Sequence, residues 1–326
     1  MSQLEQTKNH RNLWRSLTEI HEFMILFIII GAVILMTILS PIFFTSGNIL
    51  ATLLSLSIES IIAIGMTVLM VSGGFDMSVG STVGFTGAMA AMLMARGIPV
   101  ILAILVGIGL GVLIGMGNGL IISKIGINPF ITTLGMLNLV RGLLLVITKG
   151  KNITGLPDSF KMLGQGKFFN VQYPILIAII LVIIGDFLLR KSQFFRQNYY
   201  IGGNERAALL SGINVSKMKV FNYALAGGLA AFAGIIMTAR LGAASVSAGT
   251  GLELRVISAV IIGGASLQGG EGTVAGAFLG TLLMALIQNS LTLLGVDVYW
   301  NTFVIGTTLL VAVMIDTLSK KKKGLL

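Results

Sequence analysis

The residues of this chain that could carry chemistry are few and stand far apart in apolar sequence. The chain has 326 residues, of which 55% are hydrophobic and 10% are charged. It contains no GxSxG nucleophile elbow, no HExxH zinc motif and no GKS/T phosphate loop. The sequence therefore predicts no catalytic residue, and any ATP that drives the protein must be bound by a partner.

Metal and nucleic-acid chemistry are also excluded by composition. The chain has no cysteine, so it forms no disulfide and no thiolate metal site. Its two histidines, His10 and His21, both lie in the polar N-terminal region. The net charge of +10 fits the positive charge that inner-membrane proteins collect on their cytoplasmic side. We therefore expect no metal, no cofactor and no nucleic-acid partner.

Three carboxylates lie in or beside apolar segments, where an ionisable group is costly and is therefore a functional candidate. Asp76 and Glu253 each stand near the start of an apolar run. Each suits either a helix N-cap or first turn, which we favour, or the wall of a translocation path. Glu59 lies inside an apolar segment and suits either a pore wall or an interhelical hydrogen bond.

One cation and three amides complete the set of polar residues in apolar segments. Arg141 could extend to the outer surface or face a wet cavity. Asn118, Asn138 and Asn289 are of the type that usually bridges helices in a membrane. Together with the three carboxylates, these residues are candidates for lining a translocation path. A polar path of this kind would suit a neutral, hydroxyl-rich solute such as a sugar.

The elements that must position these residues are membrane-spanning helices. Apolar runs long enough to cross a bilayer recur along the chain, which predicts an all-α polytopic membrane protein with about ten transmembrane helices in one domain, residues 23–318. The predicted spans are 23–40, 49–71, 78–95, 99–122, 127–147, 172–189, 218–239, 254–268, 273–294 and 300–317. The third and eighth are short and glycine-rich, so we expect them to be broken or to dip into the membrane only.

The distribution of lysine and arginine predicts the orientation of the chain. With the N-terminus inside, fourteen of these cations fall in inner segments and seven in outer segments. Both termini are therefore predicted in the cytoplasm, as a tail at 1–22 that lacks a signal-peptide pattern and a basic tail at 319–326. The polar segment at about 190–219 is predicted on the same side.

Two patterns predict how the helices pack. GFDMSVGS, from Gly74, resembles GLELRVIS, from Gly251, which indicates a weak internal repeat of spans two to five as spans seven to ten. Glycines recur every four residues from 107 to 119 and from 272 to 280. Such stripes predict close contacts between helix backbones and carry no chemistry of their own.

The stretch YYIGGNERAALLSGINVSKMK, residues 199–219, is polar and interrupts the apolar sequence. Asn204 can cap a short helix there, and Gly212 can end it. Residues 207–210 give this helix an apolar face only two turns long. A helix too short to cross the membrane would present that face to the bilayer surface or to a groove in a partner protein.

The same stretch resembles the cytoplasmic coupling segment of the membrane permeases of ribose/xylose/galactoside-type ABC sugar importers. Three more blocks are similar to that family in the same order. They are GGFDMSVGS at 73–81, NPFITTLG at 128–135 followed by RG at Arg141, and GLELRVISAVIIGGASLQGGEGTVAGAFLG at 251–280. The resemblance covers about residues 23–318. Arg255 departs from the family by adding a charge near Glu253, with which it could form an ion pair.

The resemblance implies the fold of the larger ABC importers, like that of the cobalamin importer, in a bacterial inner membrane. It also implies a second permease subunit, identical or paralogous, two cytoplasmic ATPase subunits and a secreted solute-binding protein. The coupling segment would dock on the ATPase, with the two glycines at 202–203 turning the chain out of the sixth span and the two alanines at 207–208 pressed into a groove. The residues implied in coupling are Gly202, Gly203, Asn204, Ala207, Ala208, Ser211 and Gly212.

The cargo and the class of transporter each have an alternative. The cargo implied is a sugar or a similar neutral solute, and a furanosyl solute of the autoinducer-2 type is the alternative. An ion-coupled secondary transporter would also show repeats and broken helices, and Glu59, Asp76 and Glu253 could supply its coupling site. A membrane enzyme is excluded by the lack of a nucleophile–base pair or a metal-binding cluster.

Overall fold

A computed structural model describes residues 22–297 and 299–322 as a bundle of helices with one β-hairpin. Residues 1–21 and 323–326, which make up most of the predicted N-terminal tail and part of the C-terminal tail, lie outside the described residues. The helices are α1 (Glu22–Leu39), α2 (Ser46–Val71), α3 (Val79–Ala95), α4 (Val100–Leu120), α5 (Pro129–Thr148), α6 (Asp158–Gln165), α7 (Tyr173–Lys191), α8 (Gln193–Gly203), α9 (Glu205–Leu210), α10 (Val215–Leu241), α11 (Leu252–Ile262), α12 (Val274–Leu293) and α13 (Tyr299–Lys322). A π-helical turn, Ile121–Ile125, follows α4, and strand β1 (Lys167–Phe168) pairs antiparallel with β2 (Val171–Gln172).

Most of the predicted spans correspond to long helices. Within the described residues, eight helices are long and apolar enough to cross a membrane: α1, α2, α4 with its π-helical turn, α5, α7, α10, α12 and α13. The prediction of an all-α polytopic membrane protein is therefore confirmed. The third and eighth predicted spans correspond to α3, of 17 residues, and α11, of 11 residues. At 1.5 Å per residue, α11 is about 16 Å long, roughly half of the hydrocarbon core.

The predicted end of the eighth span is wrong. The span was expected to run to residue 268, but α11 ends at Ile262. The helix stops because Gly264 takes the left-handed conformation, with φ of +92°, which only glycine adopts easily. The backbone N–H of Ala265 then donates to the carbonyl of Val260, 3.1 Å away, and closes the end of the helix.

The glycine stripes pack as the sequence predicts. The stripe at 107–119 on α4 lies against α10, its main neighbour. A Cβ atom at Gly111 would lie 2.5 Å from the carbonyl oxygen of Gly227, and one at Gly119 would lie 2.6 Å from the Cα of Val220. Gly280 on α12 meets the backbone of Ala259 on α11 in the same way. These contacts are too close for any side chain, so the glycines set the distance between the helices.

The partners of each helix follow the predicted internal repeat. Helix α2 packs against α11 and α12, and α10 packs against α3 and α4. Helix α3 packs against α4 and α5, just as α11 packs against α12 and α13. The packing of α2–α5 is thus reproduced by α10–α13. The two acidic residues of the repeat are not equivalent, since Asp76 lies three residues before α3 whereas Glu253 is the second residue of α11.

Candidate translocation path and coupling segment

Asp76 is buried in a hydrogen-bonded turn before α3. One of its carboxylate oxygens, Oδ1, accepts hydrogen bonds from the backbone N–H of Ser78 at 2.7 Å and from the Ser78 hydroxyl at 2.6 Å. The other oxygen accepts from the amide of Asn118 on α4 at 3.3 Å, and that amide also donates to the Ser78 hydroxyl at 3.0 Å. Ser78 already has right-handed helical dihedral angles, with φ of −81° and ψ of −6°, and its carbonyl accepts from the N–H of Thr82. The bond from the Ser78 N–H to Asp76 is therefore the one that an N-cap carboxylate makes to the second residue of a helix, which agrees with the capping role predicted for Asp76.

Arg141 on α5 holds the loop that joins α10 to α11, residues 242–251. Its guanidinium donates to the carbonyl oxygens of Val246 and Ala248, each at 2.9 Å. Both bonds are made by Nη1, and the side chain is half-buried, so this part of the guanidinium is occupied by the backbone of the loop. The partners lie more than 100 residues away in sequence, so no local pattern could have predicted them.

Glu253 lies in the first turn of α11, as predicted, and its side chain is largely buried. Its oxygen Oε2 has no hydrogen-bond partner among the described residues. The predicted ion pair between Glu253 and Arg255 does not form. Arg255 lies instead 3.5 Å from the carboxylate of Glu59 on α2, and it donates a hydrogen bond of 2.8 Å to Gln288 on α12.

The three candidate amides have different surroundings. Asn118 belongs to the Asp76 cluster and is fully buried. Asn289 exchanges hydrogen bonds of 2.6 and 3.1 Å with Asn48, which ties α12 to the start of α2. Asn138 is exposed on α5 and donates only to the carbonyl of Leu134 in its own helix, at 3.0 Å. The predicted bridging role thus holds for Asn118 and Asn289 and not for Asn138 within the described residues.

A cavity of about 330 Å³ opens between α2, the C-terminal end of α10, the 242–251 loop and α11. Its volume lies near the lower end of the roughly 300–1,000 Å³ found for small-molecule sites. Of the seven path candidates, only Glu59 lines it, together with Arg255 and Arg240. The sequence singled out Arg255 as an unusual charge, but it gave no reason to consider Arg240.

The segment predicted to couple the protein to a partner forms two short helices, α8 and α9. The side chain of Asn204 accepts a hydrogen bond of 2.9 Å from the backbone N–H of Ala207, so the predicted cap is present. Glu205 pairs with Lys219 of α10 at 2.7 Å. Gly212, with φ of +85°, ends the short helix as predicted. The Ser211 hydroxyl donates to the carbonyl of Ala207 at 2.9 Å.

The two alanines of α9 differ in their exposure. Ala207 is exposed, whereas Ala208 is buried against Ile201, Val215 and Met218. The expectation that both alanines are presented to a partner is therefore wrong for Ala208, since that side chain packs onto α8 and α10. The two leucines of α9 are also exposed: Leu209 is 60% accessible and Leu210 is 85% accessible.

The glycines before α9 do not act as a hinge out of the sixth span. Both belong to the last turn of α8. A Cβ atom at Gly202 would overlap the backbone at the end of α2 and would lie only 2.4 Å from the nearest backbone atom of the Gly269–Gly270 turn. The absence of a side chain at Gly202 therefore permits the end of α8 to pack closely against both. Gly203 has open space around it. The α8–α9 unit is therefore in direct contact with the C-terminal end of α2 and with the loop that follows α11.

An ion cluster close to this unit was not predicted from the sequence. Arg190 of α7 pairs with Asp186 at 2.8 Å and with Glu22 of α1 at 2.9 Å. Asp186 also accepts a hydrogen bond of 3.0 Å from the backbone N–H of Ala275, at the start of α12. The cluster joins α1, α7 and α12. The spacing of four residues between Asp186 and Arg190 was the available signal, since oppositely charged side chains at that spacing meet on a helix.

Comparison with known proteins agrees with this geometry. Residues 48–313 match the model of the family described as "Branched-chain amino acid transport system / permease component". The chain is 43% identical to the ribose import permease RbsC of Bacillus subtilis over 286 residues, which is 87% of this chain and 89% of that protein. It is 39% identical to RbsC of Haemophilus influenzae over 322 residues, 98% of each chain.

A more distant relative is the xylose transport permease XylH of Haemophilus influenzae, which is 33% identical over 86% of this chain and 91% of that protein. No solved structure matches the chain. The matches cover nearly the whole membrane domain and agree with its many apolar helices. The chain is therefore a multi-pass inner-membrane protein that belongs to the family of ABC transporter permeases in which the ribose and xylose import permeases are found.

Proposed function

We propose that this chain is the membrane subunit of an ATP-driven importer and forms the path for a sugar or a sugar-like neutral solute. The relatives support a sugar, because they are described as permeases for ribose, arabinose and xylose. The cavity beside Glu59 supports a small polar cargo, because charged and hydroxyl side chains line it. A furanosyl solute of the autoinducer-2 type has the same chemical character and is the alternative cargo.

The observation that carries this proposal is the α8–α9 unit. Its short second helix exposes Ala207 and Leu210 beside basic residues, while its other face packs on the ends of membrane helices. A small apolar patch on a rigid two-turn helix suits a groove in a protein partner. A soluble ATPase docked there would act on α2 and on the loop after α11 through direct contacts.

The remaining parts of the assembly follow from this proposal. We infer that two permease subunits, identical or paralogous, form one pore with the fold of the cobalamin importer, and that a secreted solute-binding protein delivers the cargo. ATP is bound by the partner, so this chain needs no cofactor. The excess of cations in the segments that include α8 and α9 supports a cytoplasmic position for these helices and for both termini. The cavity then lies towards the outer side of the membrane.

The proposal is tested by the energy source of uptake. Cells that contain the complete importer are incubated with radiolabelled D-ribose, D-xylose or L-arabinose. Parallel samples contain an ionophore that collapses ion gradients, while the ATP level is maintained. We expect uptake of at least one sugar to survive the ionophore and to stop when ATP is depleted. Uptake that follows the ion gradient would instead identify a secondary transporter, and absence of uptake of all three would reject the sugar cargo.

A further inference from the structure

The cavity beside α11 has a chemical character that goes beyond a passive path. We propose that it is a binding subsite for the cargo, in which Glu59 and Arg255 bind neighbouring hydroxyl groups of a neutral, monosaccharide-sized polyol. This inference rests on the proposed function and adds to it the site and the chemistry of recognition. The cavity volume, about 330 Å³, is within the range of small-molecule sites.

The two charged groups pair with each other incompletely. The shortest distance between Arg255 Nη1 and Glu59 Oε1 is 3.5 Å, whereas a charge-assisted N–H···O bond is about 2.7–2.9 Å long. The side chain of Glu59 accepts no other hydrogen bond within the described part of the chain. Arg255 Nη1 is occupied by Gln288, whereas Nε of the same guanidinium is buried without a partner in that part. Both groups therefore keep hydrogen-bonding capacity for a solute.

The side chains around this pair supply further hydrogen-bonding groups. The hydroxyls of Ser55, Ser247 and Thr250 belong to the same wall. Arg240 also lines the cavity, and its guanidinium has no protein partner among residues 22–297 and 299–322. Ile58 and Leu252 give the wall an apolar side. A sugar ring has this same combination, with hydroxyl groups at its edge and C–H groups on its faces.

The Glu59–Arg255 pair carries no net charge and suits a neutral solute. An anion would be attracted by Arg255 but repelled by the carboxylate of Glu59, and a cation would be repelled by the two arginines. A hydroxyl group both donates and accepts. Two neighbouring hydroxyls can therefore donate to Glu59 and accept from Arg255 at once, with charge-assisted hydrogen bonds on both sides.

The absence of cysteine makes this proposal directly testable. Ser247→Cys places the only thiol of the chain in the cavity wall, and Ser159→Cys places one on the exposed surface of α6 as a matched control. The purified permease–ATPase complex is labelled with a maleimide while D-ribose, D-xylose or L-arabinose is titrated. We expect the sugar that the importer takes up to slow labelling at position 247 about tenfold at ten times its Kd, and to leave position 159 unchanged.

Two further variants assign the effect to the charged pair. In the Ser247→Cys background, Glu59→Gln keeps the shape of the side chain and removes its charge, and Arg255→Gln removes the guanidinium and leaves a shorter, neutral polar side chain. We expect each to abolish protection by sugar, while the labelling rate without sugar stays within about twofold of the parent, since the cavity itself is preserved. Protection that persists in both variants would overturn the role of the pair.

The outcomes separate this proposal from the proposed function. If the Ser247→Cys importer takes up a sugar with ATP and that sugar gives no protection at any concentration, the subsite is rejected and the permease function stands. If no sugar is taken up and none protects, the sugar cargo and the subsite both fail. Equal protection of positions 247 and 159 would indicate a general conformational change and would also reject the subsite.

Discussion

Ala207→Glu should abolish solute uptake while the protein still reaches the membrane in normal amount. Ala207 is exposed on α9 and lies in no intramolecular contact that a larger side chain would break. In the docked complex, a glutamate would clash in a groove shaped for a methyl group and would bury an unpaired charge. A cost of roughly 2 kcal/mol or more corresponds to about a 30-fold loss of docking affinity. Uptake, ATPase co-purification and membrane level are measured together.

The neighbouring alanine is the matched control. Ala208 is packed against Ile201, Val215 and Met218, so Ala208→Glu would bury a carboxylate inside the permease itself. We expect that variant to lose membrane level and not merely coupling. Glutamate is a good helix former, so Ala207→Glu would be harmless if α9 were simply a solvated helix. Normal uptake by Ala207→Glu would therefore reject docking through this face.

Gly111→Leu should destabilise the membrane bundle strongly. A Cβ atom at Gly111 would lie 2.5 Å from the carbonyl oxygen of Gly227, so the backbones of α4 and α10 must separate to admit any side chain. Overpacking costs about 1–3 kcal/mol, and the upper end applies where backbone has to move. We expect low membrane levels and a lower melting temperature of the detergent-solubilised protein.

Gly109→Leu provides the control on the same helix. A Cβ atom at Gly109 would have no neighbouring atom within 4 Å, so a side chain there meets open space. Leucine has a higher helix propensity than glycine by up to about 1 kcal/mol. The control should therefore match or exceed the parent in stability. Equal losses in both variants would show that helix packing is not what the glycine at 111 provides.

The helices were predictable because their signal is local. Long apolar runs locate the spans from composition alone, and a glycine every fourth residue predicts a helix contact whatever the partner is. The cap at Asn204 and the stop at Gly212 follow from the chemistry of single residues. The eighth span was predicted too long because Ala265 and Leu267 are apolar, although Gly264 had already turned the chain.

The polar contacts were not predictable because they depend on distant partners. Glu59 meets Arg255 across nearly 200 residues, and Arg141 meets the carbonyls of a loop that carries no sequence signal for such a contact. The buried side of α9 was not predictable for the same reason, since it depends on residues outside the helix. A two-turn helix shows no periodicity from which its buried side can be identified, and the contact of Ala208 with Val215 and Met218 decides it.

The side of the membrane on which α9 lies is the most direct test of coupling to a cytoplasmic ATPase. Reporter enzymes that are active only in the cytoplasm or only outside it are fused after residue 210, in α9, and after residue 160, in α6. We expect a cytoplasmic signal at 210 and an external signal at 160, since α7 separates them and is long and apolar enough to cross the membrane once. An external signal at residue 210 would contradict docking on an ATPase, whatever the resemblance to other permeases.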